Sequence, residues 1–306
     1  MRKIVIISGP TGVGKTEISL QVAERLQGEI VSCDSMQIYK GMDIGSAKAT
    51  KEEMERVPHH LIDVVSPFDA FTVSDYKDLA EEAIQDIHKR GKPAILVGGT
   101  GLYIDAVIKN LSFTEGGSDA ALRKELEEEA RENGPLYLHE KLKKVDLEAA
   151  TAIHPNNVKR VVRALEVYHL TGRPFSSFKD DRGLRKEYEI HYFYLNKDRQ
   201  KLYEAIDERV EVMMRKGLLE EVISLQKSGL TSSHVSMQGI GYKEILSYLD
   251  GILTLEGAVD LVKMRSRNYA KRQLTWFRNE KYAEELSKDK YSDEEIIEIL
   301  EKSGRE

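Results

Sequence analysis

The segment from Ile4 to Thr16 constrains this chain more than any other. Four apolar residues, Ile4 to Ile7, run into Ser8-Gly9-Pro10-Thr11-Gly12-Val13-Gly14-Lys15-Thr16, and Ile18, Val22 and Leu26 follow at helical spacing. Gly9, four intervening residues and Gly14-Lys15-Thr16 form a phosphate-binding loop in the strand–loop–helix setting that the motif requires. Its glycines let backbone N–H groups converge on one concavity, and the helix N-terminus adds positive potential there. Lys15 brings a point charge to the terminal phosphate, and Thr16 a hydroxyl for a magnesium ion. A di- or triphosphate group is expected on Gly9, Pro10, Thr11, Gly12, Val13, Gly14, Lys15 and Thr16.

Downstream, an α/β alternation continues. Glu29–Cys33 reads as a second strand ending in Asp34-Ser35-Met36-Gln37, and 38–50 as a glycine-punctuated loop. Leu61–Val65 reads as a short strand. Tyr76, Leu79, Ala83, Ile84 and Ile87 follow helical spacing until Gly91, and Ala94–Val97 is a buried strand ending in Gly98-Gly99-Thr100-Gly101. Ligands of open α/β sheets sit outside the carboxyl ends of the strands, so the phosphate loop, Asp34–Gln37 and Gly98–Gly101 are expected to converge. From 114 to 186 only helical patterns appear, broken at Gly116-Gly117, Asn133-Gly134-Pro135, His154-Pro155 and Gly172-Arg173-Pro174. Glu189–Leu195 returns to a strand, and helices follow, the last with a Ser292/Glu295 capping box. The expected fold is therefore a phosphate-loop NTPase-like core, a parallel sheet flanked by helices, formed by 1–113 and 187–306. An all-helical domain, 114–186, is inserted in it.

No run of about eighteen apolar residues occurs, and Met1-Arg2-Lys3 leads into a strand rather than a signal peptide. A soluble cytoplasmic protein with no membrane partner is the expectation, and a monomer. Cys33 is the only cysteine, which excludes an internal disulfide and a cysteine-rich zinc site.

The net charge of −6 hides two basic stretches. Lys159, Arg160, Arg163, Arg173, Lys179, Arg182, Arg185 and Lys186 face only Glu166, Asp180 and Asp181. Lys263, Arg265, Arg267, Lys271, Arg272 and Arg278 have no acid among them and are interleaved with Tyr269, Trp276 and Phe277. Cations and aromatics on one helix suit backbone phosphates plus a stacked base. Each stretch alone also fits an ordinary solvated face.

A phosphate loop by itself suggests an NTPase or a small-molecule kinase, but those place a magnesium-holding aspartate after a second apolar strand. Ala94–Val97 ends instead in Gly98-Gly99, and Asp34 is the carboxylate nearest the expected phosphate end. The blocks Gly9–Thr16, Asp34–Gln37 with Tyr39, Gly41–Gly45, Pro58–Asp63, Gly98–Tyr103, and His154-Pro155-Asn156 resemble the tRNA dimethylallyltransferase family. So do Arg160 with Arg163–Glu166, Gly239–Tyr242, and Tyr269–Arg278. They stand in family order over nearly the whole chain; Lys159 replaces a glutamine common in relatives. With one cysteine, and so no appended zinc finger, the chain looks like the bacterial form.

The resemblance implies transfer of a dimethylallyl group from its diphosphate to N6 of the adenosine just 3′ of the anticodon in tRNA. The phosphate loop would then hold the leaving diphosphate with Mg2+ at Thr16, which explains the missing aspartate. Asp34 matches the family's proton acceptor, Thr100 a hydroxyl that orients the base, and Arg209 an arginine that meets the diphosphate. Asp34, Ser35, Met36, Gln37, Lys159, Arg160, Val161, Val162, Arg163, Lys271 and Arg272 match tRNA-contacting positions. Read without the resemblance, Asp34 is equally a strand-end cap and Arg209 a surface ion pair. Gln37 suits an adenine edge, whose base must leave its stack to react. An adenylate isopentenyltransferase, a kinase or NTPase, and a non-catalytic RNA-binding module are the competing readings. The first needs no helical insertion, the second would release phosphate from ATP without RNA, and the third leaves Lys15 and Asp34 without purpose.

Overall fold

The computed structural model describes residues 2–111, 117, 119–178 and 181–306. Gly116, read above as a helix breaker, and Lys179 and Asp180 of the first basic stretch lie outside them. The described chain forms two compact units, one of 1–108 with 184–306, the other of 109–183.

The larger unit contains a six-stranded, wholly parallel sheet in the order β3-β2-β4-β1-β7-β8. Its strands are β1 (Arg2–Ser8), β2 (Glu29–Ser32), β3 (His59–His60), β4 (Ala94–Gly98), β7 (Tyr188–Asn196) and β8 (Glu284–Ser287). The two-stranded pair β5 (Lys109–Asn110) and β6 (Asp181–Leu184) is separate from this sheet. β1 lies at the centre, with Ile4 beside Ala94 on β4 and beside Ile190 on β7. Ile4, Val5, Ile6 and Ile7 are fully buried because both faces are covered, so a central parallel strand reads as an unbroken apolar run. Alternation then sorts them: Ile4 and Ile6 join one core, Val5 and Ile7 the other.

The first core is completed by α3 (Val73–Lys89), α4 (Gly101–Ile108), α10 (Leu218–Lys227), α11 (Tyr242–Leu249) and Phe277 of α12 (Leu255–Arg278). The second is covered by α1 (Lys15–Leu26), α9 (Arg199–Arg215) and α13 (Asp293–Arg305). α2 (Lys51–Arg56), α3 and α13 each begin with a full capping box, at Thr50/Glu53, Thr72/Asp75 and Ser292/Glu295.

The short third strand is His59–His60, not Leu61–Val65. Leu61 and Asp63 take positive φ values of 63° and 55°, which breaks the extended path, and only Val65 makes a bridge, to Tyr39. The smaller unit contains α5 (Ala120–Asn133), α6 (Pro135–Val145), α7 (Leu147–Ala152) and α8 (Val158–Thr171). It is not all-helical. Asp181–Leu184 forms β6 against β5, a pairing of backbone groups that the unpatterned sequence Asp-Arg-Gly-Leu does not announce. The compact units divide at 108/109 and 183/184 rather than at 113/114 and 186/187.

Candidate active site

The chain leaves β1 toward β2 and, after β4, reaches β7 on the far side of β1. The crevice between β1 and β4 is thus the topological switch point, where open sheets of this kind bind ligands. Two loops meet there. The phosphate loop turns through Gly9, Gly12 and Gly14 at φ values of 143°, 77° and 95°, conformations that favour glycine. At Gly9 a Cβ would lie 2.7 Å from Leu195 O, and at Gly12 2.9 Å from Ile206 Cγ1, so β7 and α9 press directly on the loop.

Asp34 is placed by the close approach of β2 and β4. A Cβ on Gly98 would overlap the Cys33 carbonyl, and Thr100 N donates to that same oxygen at 3.1 Å. Tyr76, fully buried beneath, donates to Ser32 O at 3.0 Å and to Cys33 Sγ at 3.1 Å. Burial pushes the Cys33 thiol up to about 12, so it is a packed, inert residue. Asp34 Oδ1 then accepts Met36 N at 2.8 Å and Gln37 N at 3.4 Å. The two sequence readings of Asp34 are therefore compatible: one oxygen caps the turn, and Oδ2 accepts no hydrogen bond from the described residues.

One cavity of about 450 Å³ brings together Thr11, Gly12, Gly14, Lys15, Thr16, Asp34, Ser35, Met36, Gln37, Gly98, Gly99, Arg209, Tyr269 and Arg272. That volume suits a small organic ligand. Its charge is unbalanced. Lys15 Nζ donates to Gly9 O at 2.8 Å and Pro10 O at 3.0 Å, and neither Lys15 nor Arg209 forms an ion pair with a described residue. Burial, then the charge of Arg209, brings Lys15 down to about 7 against the opposing pull of Asp34. Burial also lowers Arg209, again with Asp34 opposing. Two half-buried basic side chains that share a cavity with one carboxylate make that cavity suited to a further anion.

Thr100 stands beside the cavity, its Oγ1 accepting Ser35 N at 3.3 Å. Gln37 has both ends of its amide engaged: Nε2 donates to Ala47 O at 3.1 Å, and Oε1 accepts Ser32 Oγ at 3.2 Å. The basic stretch on α12 divides. Lys263, Arg265 and Arg267 pair with Glu211, Glu244 and Asp207, and so fasten α12 to α9 and α11. Lys271, Arg272 and Arg278 are exposed, with Trp276 at 41% and the Arg272 guanidinium 5.5 Å from the centre of the Tyr269 ring. Half of the cations read on this stretch are therefore committed to neighbouring helices.

On α8 of the smaller unit, Lys159 and Arg160 are exposed. Val161 and Val162, assigned above to tRNA contact, are buried at 0% and 2% in that unit's core with Leu126, Leu138 and Leu142. Their side chains support the helix and do not reach solvent. Arg163 is held at 2.6 Å by Glu166, a fully buried carboxylate that also accepts Arg123 Nε and Asp119 N at 2.8 Å.

Sequence reasoning missed Gln273. Its Oε1 accepts Thr11 N at 2.9 Å and its Nε2 donates to Gly99 O at 2.9 Å, so one buried amide spans the crevice between the two loops. Only its place on the apolar side of an otherwise basic helix signals this. Tyr269 one turn earlier is pushed up to about 12 by burial and the Asp34 charge, and so remains a hydrogen-bond donor.

Fold and pocket define a class: an α/β protein whose phosphate-loop motif borders a cavity shared with a carboxylate that has one oxygen free. The chain matches the family model described as IPP transferase over residues 37–280. It belongs to that family, the family of the tRNA dimethylallyltransferases. A tRNA dimethylallyltransferase of Lachnoclostridium phytofermentans is 50% identical to it over 98% of each chain. The crystal structure of the tRNA isopentenylpyrophosphate transferase of Bacillus halodurans is similar at 46% identity, covering 100% of this chain and 99% of that one, with a TM-score of 0.73. A eukaryotic dimethylallyltransferase solved acting on tRNA is 30% identical over 98% of this chain and 77% of its own, with a TM-score of 0.81.

Proposed function

We propose that this protein transfers a dimethylallyl group from dimethylallyl diphosphate to N6 of the adenosine immediately 3′ of the anticodon in tRNA, releasing diphosphate. The observation that carries the reading is the pair of half-buried basic side chains, Lys15 and Arg209, which share one cavity with Asp34 and have no ion-pair partner among the described residues. A diphosphate supplies the anion that this arrangement lacks. The N6 lone pair forms the new bond to the allylic C1 as the C1–O bond breaks and its electrons leave on the diphosphate. Charge grows on that leaving group, where Lys15, Arg209 and the loop amides stabilise it. The proton from N6 passes to Asp34 Oδ2, while Oδ1 keeps the carboxylate oriented through the turn.

Thr16, exposed in the first turn of α1, would offer its hydroxyl oxygen to Mg2+, a donor of the hard-oxygen type that this ion takes beside phosphates. No group of three or more His, Cys, Asp or Glu among the described residues offers an alternative cage. When bound there, the ion neutralises charge on the departing diphosphate. Lys159 and Arg160 on α8 and Lys271 and Arg272 on α12 serve the RNA backbone, and the inserted unit acts as a tRNA-binding element. In this reading the protein acts as a monomer. No described helix is long and apolar enough to cross a membrane, in keeping with work on tRNA in the cytoplasm.

The test is mass spectrometry of an anticodon stem-loop incubated with the protein, Mg2+ and dimethylallyl diphosphate. Addition of one dimethylallyl group at the adenosine 3′ of the anticodon is expected. An unmodified stem-loop together with phosphate release from ATP would overturn the reading in favour of an NTPase.

A further inference from the structure

Glu221 on α10 organises a wall of the cavity, the loop that carries Gly45, Ser46 and Ala47. Its Oε2 accepts the backbone N–H groups of Asp43 at 2.9 Å and Ile44 at 2.8 Å. Its Oε1 accepts Gly45 N at 3.1 Å and the Tyr242 hydroxyl at 2.7 Å. Three successive amides turned onto one carboxylate form an anion-holding nest, occupied here by a side chain of the same protein. Tyr242 is fully buried, and its ring fills the space beside Gly45, where a Cβ would come within 2.6 Å of Cζ.

The loop so anchored carries a contact of the cavity itself. Two residues beyond Gly45, Ala47 sits at φ 45°, an unfavourable conformation for alanine, and its carbonyl accepts Gln37 Nε2. Gln37, Gly45, Ser46 and Ala47 all line the cavity. With Nε2 on Ala47 O and Oε1 on Ser32 Oγ, the Gln37 amide plane is fixed. One N–H and one lone pair remain uncommitted, the donor–acceptor pair that a purine edge requires.

We infer that Glu221 is a positioning residue for the acceptor base: through the Asp43–Gly45 amides it holds Ala47, and through Ala47 it fixes the Gln37 amide that receives the adenine. This rests on the function proposed above. Glu221 itself does not line the cavity.

The experiment compares wild type with Glu221→Gln in the full chain. The substitution keeps the shape but turns an –NH2 group toward donors, breaking up to two of the four bonds. Amide hydrogen exchange at 43–45 should accelerate. KM for the stem-loop should rise roughly tenfold or more, while KM for dimethylallyl diphosphate and the melting temperature stay near wild type. A purely structural role would lower the melting temperature and leave the KM values alone. Freed amides with unchanged kinetic constants would overturn the inference, as would retained protection at 43–45. If Glu221→Gln fails to fold, Tyr242→Phe removes one donor while keeping the ring, and a several-fold rise confined to the stem-loop KM is then expected; no rise overturns it. A wild-type protein that modifies no stem-loop would sink the function instead, and the exchange data would still decide whether Glu221 holds the loop.

Discussion

A carboxylate stands near each end of β2, and the two have opposite fates. Glu29 opens the strand at 3% exposure and is saturated by Arg90 at 2.6 Å, His60 at 2.7 Å and Lys92 at 2.9 Å. Burial alone would raise its pKa, but the hydrogen bonds from Arg90, His60 and Lys92 outweigh it and bring Glu29 down to about 2. Asp34, two residues past the other end, spends one oxygen on its own turn and leaves the other to a cavity that also contains Lys15 and Arg209. A satisfied carboxylate ties elements together, whereas one held rigid with an oxygen free can accept a proton. The difference lies in the surroundings: at the amino end of the sheet cations arrive with the packing, and at the carboxyl end Lys15 and Arg209 line a cavity with no ion-pair partner among the described residues.

Asp34→Asn probes the contrast hardest. It preserves the acceptor of the turn, so folding and ligand affinities should hold, while single-turnover transfer falls by about 10²–10⁴-fold. Near-native single-turnover chemistry in the variant would remove Asp34 from the proton path. Lys15→Ala should come next, with transfer lowered by about 10²–10³-fold. If Lys15 meets the diphosphate as proposed, stem-loop affinity should barely change; parallel loss of RNA binding and turnover would contradict that placement.

Glu29→Gln tests the other end, where the expected effect is on stability. Because the folded pKa lies below the ordinary value of 4.5, the carboxylate's contribution is complete above about pH 4.5 and disappears as pH falls toward 2. The variant should lose about 1–3 kcal/mol at pH 7 by urea titration, and its deficit should shrink through the acid range. A deficit independent of pH would mean that shape, not charge, matters there. The smallest effects distinguish the two halves of α12. Lys271→Ala or Arg272→Ala should make the salt dependence of stem-loop binding shallower by about 0.7 in log–log slope. Arg267→Ala, which breaks the pair with Asp207, should leave that slope unchanged. Equal slopes in all three variants would put Lys271 and Arg272 among the structural cations too.

Periodicity and local geometry made much of this legible in advance. An apolar run, glycines at fixed spacing and a helical stripe act within a dozen residues, so β1, the phosphate loop and α1 could be read directly, and so could β4 and the capping box at Ser292. Charge was read less well. The sequence shows Lys263, Arg265 and Arg267 beside Lys271 and Arg272, and nothing local separates those facing Glu211, Glu244 and Asp207 from those facing water. Val161 and Val162 took an RNA assignment from their neighbours, although their spacing belongs to the buried stripe. β6 was missed because its pairing comes from the meeting of two distant backbone segments and not from side-chain alternation.

By itself the sequence determined the class: a strand–loop–helix with the phosphate-loop motif, a parallel sheet, a helical insertion and an ordered set of family blocks. Those features depend on residue type and near-neighbour spacing, which a linear chain carries in full. Tertiary structure alone decided which oxygen of Asp34 is free and which cations are already paired. It also decided that Gln273 bridges Thr11 and Gly99, and that Glu221 gathers three amides of a loop some 176 to 178 residues away in the chain. Each of these is a contact between segments remote in sequence, and a hydrogen bond with a reach of about 3 Å exists only once folding has set both partners side by side.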